Sequence, residues 1–299
     1  MTTPKNASRI TADAVASFAS TSNPRAREVL IALTSHLHAF VAEVALTSEE
    51  WQRAVDFLAA AGQASTPTRR EVALLSHVLG ISSLVESLNG PTSASATPPA
   101  PLGPFHKVRS PQRVPGDAIS SGAAQDEEPC LVMGQVRTIS GDLLPGATVD
   151  VWQANGQGRY DVEQPDVQPE GNGRGMFTTD EEGKFWFRTV VPGSYRIPMD
   201  GPVGTLLTLV GRTSILPAHI HFLIEAAGCR SLTTQVFFAG DPYLDSDPEF
   251  MVREELVREF QTIESPVKAR KFGMHAPFRQ LTFDLVLETD ADHTSLSSP

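Results

Sequence analysis

Two histidines stand one residue apart in LPAHIHFLI, Leu216 to Ile224, and a second pair with the same spacing, His36 and His38, occurs in SHLHAF. Imidazole binds metals and carries protons near neutral pH, so either pair could hold an ion. The local period separates them. HIHFLI reads as a strand, where residues two apart point to the same face, so His219 and His221 stand side by side and can share one ion. Around His36 the period is helical, and two residues span about 200°, so those imidazoles diverge. His36 and His38 therefore read as a solvated or capping pair.

An ion needs more than two protein donors. The nearest carboxylate, Glu225, lies further along the same strand and is poorly placed to close a facial triad. The chain contains only three tyrosines, and Tyr160 in GRYDVE and Tyr195 in GSYRIPMDGPVG fall where strands and turns meet. A phenolate is a hard anionic ligand that suits a trivalent ion. On the residues alone, a rim aromatic with a solvated hydroxyl accounts for either Tyr equally well.

Rigid elements must position such groups. From Thr11 to about Asn89 the apolar residues recur at helical spacing, as in REVLIALTSHLHAFVAEVAL, EEWQRAVDFLAAAG and REVALLSHVLGISSLVESL. Thr47 or Ser48 before Glu49 and Glu50 predicts a helix start, and the helix after Pro67 begins comparably. GPTSASATPPAPLGPF, Gly90 to Phe105, disfavours both helix and strand and reads as an extended linker. The expected organisation is a helical region over 1–90, a linker and pocket edge over 91–107, and a second domain over 108–299.

In that second domain the period changes to two. CLVMGQVRTISGDLLPGATVDVWQA reads as strand, turn, strand, and TTDEEGKFWFRTVVPGSYRI repeats this with its turn at Asp180 to Gly183. Further strands are expected at HIHFLI, LTTQVFFA and RQLTFDLVLE, with a short helix at DPEFMVREELVREF. The fold class is α+β: an N-terminal helical domain followed by a β-sandwich.

Composition narrows the partners. At 299 residues and 40% hydrophobic the chain can bury an ordinary core, and a net charge of -11 argues against nucleic acid, whose phosphates need a surplus of Lys and Arg. Two cysteines, Cys130 and Cys229, are too few for a disulfide framework and read as small buried thiols. No run of about 18 apolar residues predicts a membrane span, and the N-terminal stretch lacks an apolar signal core, so a cytosolic protein is expected.

Taken together, GRYD, YRIPMDGPVG, PAHIHF and LTTQVFFAGDPYLDSD resemble the intradiol ring-cleaving dioxygenases of the catechol and hydroxyquinol 1,2-dioxygenase group. The resemblance extends from EEWQRAVDFLAAAGQ through LGPFH to the last expected strand. It implies a mononuclear ferric ion held by Tyr160, Tyr195, His219 and His221 in the sandwich, and an N-terminal domain that pairs two subunits as a homodimer and holds lipid between them. The implied reaction takes an aromatic diol and O2 and opens the ring to a muconate or, from hydroxyquinol, to maleylacetate. By family analogy Tyr195 leaves the metal and takes up a proton when the diol binds, and Gln235 stands close to substrate. The pocket is expected to draw on Ile81 and Leu84, on Pro101, Gly103, Pro104 and Phe105, and on Ile197, Pro198 and Leu216.

Leu216 departs from the pattern, since members of the family usually carry Arg three residues before the first metal His. Losing a buried cation that stabilises negative charge on the substrate can cost about 3 kcal/mol at a preorganised site. Arg212 and Arg230 are candidates to compensate. Substrate signals conflict as well: Gln235 resembles catechol cleavers, whereas YDVE and LDSD resemble hydroxyquinol cleavers. Two other readings stand beside this one. A transthyretin-like binding module explains the strands but leaves the tyrosines and histidines without a role, and a hydrolytic zinc on the histidine pair keeps the metal but changes the chemistry.

Overall fold

A computed structural model describes residues 5–66, 69–91, 93–108, 110–120 and 127–292. The chain divides into two units, Met1–Gln63 and Ala64–Pro299.

The first unit holds α1 (Lys5–Ala16), α2 (Pro24–Glu43) and α3 (Ser48–Gln63). The starts of α2 and α3 are chemically marked. Asn23 accepts from the Ala26 N–H ahead of Pro24, and Thr47 forms a reciprocal box with Glu50, whose Oε2 accepts the Thr47 N–H (2.9 Å). His36 is exposed, as expected, but His38 Nδ1 is hydrogen bonded to the Thr11 hydroxyl (2.9 Å) and so ties α2 to α1.

The second unit opens with α4 (Glu71–Val78) and α5 (Ile81–Asn89); Pro67 itself lies outside the described residues. The two helices meet at 74° because Gly80 takes φ 72°, a left-handed conformation that ends α4. The unit boundary at Gln63 differs from the compositional boundary near residue 90. The reason is packing: Val78 of α4 shares an apolar cluster with Val203, Leu207 and Leu216. Nor is the Pro-rich stretch a free linker. Thr97 N donates to Val286 O (3.0 Å), Ala100 N donates to Thr233 O (2.8 Å), and the Thr234 hydroxyl donates to Pro98 O (2.7 Å), so the stretch is strapped to the strands.

The strands and remaining helices follow in order: β1 (Pro129–Thr138), β2 (Thr148–Gln153), β3 (Arg174–Thr178), β4 (Lys184–Val190), β5 (Tyr195–Arg196), α6 (Pro202–Leu209), β6 (Ile215–Leu216), β7 (His219–Glu225) and β8 (Leu232–Phe238). The unit closes with β9 (Val257–Arg258), β10 (Gln261–Ile263), α7 (Pro266–Lys271), β11 (Phe278–Thr282) and β12 (Leu285–Leu287). One sheet is built on β1, antiparallel to β4 and parallel to β11 and β12, with β10 beyond β11. The other runs β3-β2-β7-β8-β9, and β5 and β6 form a separate ribbon. Val132, Phe187 and Leu281 of the first sheet meet Val151, Ile220, Phe222 and Val236 of the second, all fully buried. Each such side chain contributes about 1.5–3 kcal/mol by leaving water. Gly134 is obligatory on β1, since a Cβ there would lie 2.0 Å from Phe283 O.

The helix expected in DPEFMVREELVREF is absent apart from a single 3-10 turn, Glu254–Leu256. The Asp247 carboxylate accepts the N–H groups of Glu249, Met251 and Val252, and Phe250 sits at φ 57°, so this segment is folded as a capped loop. Cys130 is fully buried, with its thiol pushed up to about 12 by burial, while Cys229 is half-buried. Among the described residues no single helix is long and apolar enough to cross a membrane.

Candidate active site

Alternation along β7 sends Ile220, Phe222 and Ile224 into the core and leaves His219 and His221 on the opposite face of the sheet. That face is covered too, so both histidines are about 5% exposed. In register, His221 is flanked by Trp152 of β2 and Gln235 of β8. The Trp152 indole stacks on the His221 ring, centroids 4.8 Å apart and planes at 6°. Above it runs the segment from Pro101 to Phe105, where Gly103, at φ 72°, would bring a Cβ within 3.4 Å of His221 Cε1.

His219 Nδ1 donates to Pro217 O (2.8 Å), which fixes the tautomer and leaves Nε2 as a lone-pair donor. The two Nε2 atoms lie 3.0 Å apart. Burial pulls His219 below its ordinary pKa; burial together with the neighbouring His219 pulls His221 well below it. Both are therefore neutral, the state in which imidazole binds metals.

Tyr160 precedes a 3-10 turn, Asp161–Glu163, and Glu163 Oε2 accepts its N–H (2.9 Å). Its ring stacks on Phe105 at 4.3 Å and meets Tyr195 edge-on at 5.6 Å, and Tyr195 in turn lies 5.6 Å from the His219 ring. The Tyr160 Oη is buried with no hydrogen-bond partner. Burial pushes both phenols up, and Tyr160 adds to the rise at Tyr195. Behind Tyr160, the buried Arg174 forks onto Asp161 Oδ1 through Nε (2.9 Å) and Nη2 (2.7 Å), and Lys107 donates to Oδ2 (3.0 Å).

These residues fit a metal. Two donor atoms about 2.1 Å from one ion and at a right angle lie roughly 3 Å apart, which is the spacing of the two imidazole nitrogens. The phenols of Tyr195, 5.6 Å from the His219 ring, and of Tyr160, 5.6 Å from the Tyr195 ring, would supply two further donors. Among the described residues no three His, Cys, Asp or Glu side chains cluster to hold an ion, so the ligand set of a hydrolytic zinc is not present there.

A cavity of about 460 Å³ opens beside the pair, in the size range of ligand pockets. His219, His221, Gln235 and Tyr195 line it, as do Pro101, Gly103, Pro104, Phe105, Ile197, Pro198 and Leu216. Tyr160 does not; it stands behind Phe105 and Tyr195. Ile81 and Leu84 are a correction. Both are more than half exposed on α5, and the turn at Gly80 gives their expected place to Leu74 and His77 of α4.

A family model described as dioxygenase matches residues 106–289, and one described as catechol dioxygenase N terminus matches residues 23–97. The chain belongs to the intradiol ring-cleaving dioxygenases. It is 40% identical to a hydroxyquinol 1,2-dioxygenase of a Rhizobium species over 89% of this chain and 90% of that one. A 6-chlorohydroxyquinol 1,2-dioxygenase of Cupriavidus pinatubonensis is 42% identical over 84% of this chain and 90% of that one. A solved hydroxyquinol 1,2-dioxygenase of Pseudomonas putida superposes with a TM-score of 0.88 at 38% identity, covering 95% of this chain and 99% of that one.

Membership of the intradiol dioxygenases speaks against the non-catalytic binding module. In this dioxygenase neither arginine named as a stand-in for the cation missing at Leu216 reaches the cavity. Arg212 donates to Val78 O (2.7 Å) and Pro248 O (2.6 Å), and Arg230 is bonded to Glu288 (3.3 Å) and Asn89 O (3.1 Å). Sequence reasoning missed Trp152, the Asp161–Arg174 pair and the His77–Glu249 pair. Once β2 and β7 are known to be neighbours, the step of two from Asp150 to Trp152 signals that Trp152 shares the histidines' face; nothing local signals the two ion pairs.

Proposed function

We propose that this dioxygenase cleaves a catechol-type diol, catechol or hydroxyquinol, between its two hydroxyl-bearing carbons, using O2 and a ferric ion held by Tyr160, Tyr195, His219 and His221. The products are a muconate or, from hydroxyquinol, maleylacetate. The observation that carries this reading is the approach of two neutral imidazole nitrogens to 3.0 Å, with the Tyr195 ring 5.6 Å from that of His219 and the buried Tyr160 ring 5.6 Å from that of Tyr195. A ferric ion held by these residues would supply a Lewis-acid centre for the two diol oxygens.

The side chains supply the rest. Tyr195 lines the cavity with its ring 5.6 Å from that of His219, so as a phenolate released by the ion it would be placed to accept a diol proton. Phe105, Ile197, Pro198 and Leu216 give a flat ring apolar walls and exclude water. Gln235, beside His221 in register, offers a neutral donor and acceptor to orient an oxygen of the substrate. Gln235 and Tyr195 are the catalytic residues of this reading.

Exposed Leu33, Leu37 and Phe40 on α2 and Trp51 and Leu58 on α3 support pairing of two copies through the N-terminal helices, with room for lipid. The unpaired thiols support a cytoplasmic setting. The test is a visible absorption spectrum of the purified protein, recorded anaerobically before and after each diol. A coloured protein whose band shifts with a diol is expected; a folded protein that takes up no iron and stays colourless overturns the reading.

A further inference from the structure

The Tyr195 backbone belongs to a ribbon of two-residue strands outside both main sheets, yet its ring is held 5.6 Å from that of His219 on β7. A carboxylate that does not itself line the cavity bridges the two elements. Asp241, in the turn after β8, is buried. Its Oδ2 accepts both the Ser194 hydroxyl and the Ala218 N–H (2.8 Å), and its Oδ1 accepts the Tyr243 N–H (2.8 Å). Ser194 precedes Tyr195 and Ala218 precedes His219, so one oxygen atom ties together the residues before two of the proposed ligands. Hydrogen bonds to an ionised acceptor are roughly twice as strong as neutral ones, which suits a junction that must not slip.

Each arm of the junction is seated again from its other side. The peptide between Pro217 and Ala218 is held at both ends, its carbonyl by the His219 ring (2.8 Å) and its N–H by Asp241, and the next carbonyl, Ala218 O, accepts from Phe238 N (3.1 Å). On the other arm Gly193 N donates to Asn155 O (2.9 Å), and a Cβ on Gly158 would stand 2.3 Å from Ser194 O. The chain at Ser194 therefore rests on the loop that leads into Tyr160, and that close approach requires glycine at 158.

We propose that Asp241 is a positioning residue for the reaction, setting the separation of Tyr195 from His219 by pinning the residue before each. The proposal rests on the reading of Tyr160, Tyr195, His219 and His221 as a ligand set. With Ser194 held, Tyr195 moves by rotation of its side chain while its backbone stays, so a phenolate released by the ion remains beside the diol instead of drifting with the ribbon. A misplacement of about 1 Å at a reacting group can cost about a hundredfold in rate. An amide cannot replace the carboxylate, because it has one accepting oxygen and turns its NH2 group towards the N–H of either Tyr243 or Ala218.

Hydrogen exchange of the metal-free protein, with visible spectra and turnover of the iron-loaded protein, tests this in the wild type, Ser194→Ala, Ser194→Thr and Asp241→Asn. In Ser194→Ala the amides over residues 193–197 should exchange about tenfold or more faster, and in Asp241→Asn those over 217–219 as well, while β1 and β4 keep the wild-type rate. Iron-loaded Ser194→Ala should keep its metal, shift the visible band and lower kcat about tenfold with KM within about twofold. Ser194→Thr retains the hydroxyl and should restore both band and rate. Wild-type exchange over 193–197 in both Ser194→Ala and Asp241→Asn overturns the proposal, and so does an acceleration spread evenly over β1 and β4, which marks a general loss of stability. If the wild type takes up no iron, the ferric reading falls, while exchange in the metal-free protein still judges Asp241.

Discussion

The His221 imidazole lies face to face on the Trp152 indole, centroids 4.8 Å apart and planes at 6°, with the two residues opposite each other on adjacent strands. The stack fixes the ring plane of a histidine whose Nδ1 has no hydrogen-bond partner. Trp152→Ala should therefore cost about 3–5 kcal/mol of stability and lower iron content per subunit, whereas Trp152→Phe keeps a ring face and most of both. Denaturant titration with metal analysis checks this, and an Ala variant with wild-type stability and full iron would sink it.

The ligand set and the substrate-facing amide should separate by mutation. Tyr160→Phe and His221→Ala are expected to lose iron and the visible band. Gln235→Ala should keep both and slow turnover about a hundredfold, as removal of one preorganised donor does. An unchanged spectrum in Tyr160→Phe refutes the assignment of that phenol.

Asp161 and Arg174 make a buried pair beside Tyr160, with both side chains about 1% exposed. Asp161→Asn strands the guanidinium and should cost about 3–5 kcal/mol. Burial alone would raise the Asp161 carboxyl, but the Arg174 hydrogen bonds outweigh it and hold the carboxyl below the usual range. A depressed native value means the carboxylate stabilises the fold above its unfolded pKa of about 3.9 and loses that contribution as pH falls through the native value. Stability measured from neutral pH down to acid should decline in that window for the wild type and be flatter for Asp161→Asn. Parallel acid limbs would show that this pair does not contribute.

Leu216 is 6% exposed among Val78, Ile197, Val203 and Leu207. Leu216→Arg places a charge among alkyl groups and should lower stability by about 2 kcal/mol or more. A variant with an unchanged melting temperature and faster catechol turnover would instead mean that the cavity accommodates the cation.

Much of this was legible in the chain as written. Thr47 with Glu50, the turn at Asp180 to Gly183 and the two-residue period of HIHFLI depend on neighbours a few positions away, so helix starts, strand identity and the shared face of His219 and His221 follow from local chemistry. The same locality explains the errors. A helical period over DPEFMVREELVREF lost to Asp247, whose carboxylate gathered the backbone N–H groups, and Ile81 was turned out of the pocket by a single left-handed Gly80.

What no local pattern encodes is convergence. Tyr195 meets His219, and Tyr160 meets Tyr195, because a turn stacked on Phe105 and a two-stranded ribbon bring distant segments together. His77 meets Glu249 across 172 residues of sequence because α4 docks on α6 and a capped loop returns to it. Periodicity determines which way a side chain faces, whereas strand register and the routing of loops determine what it meets, since those contacts exist only after distant segments have packed together.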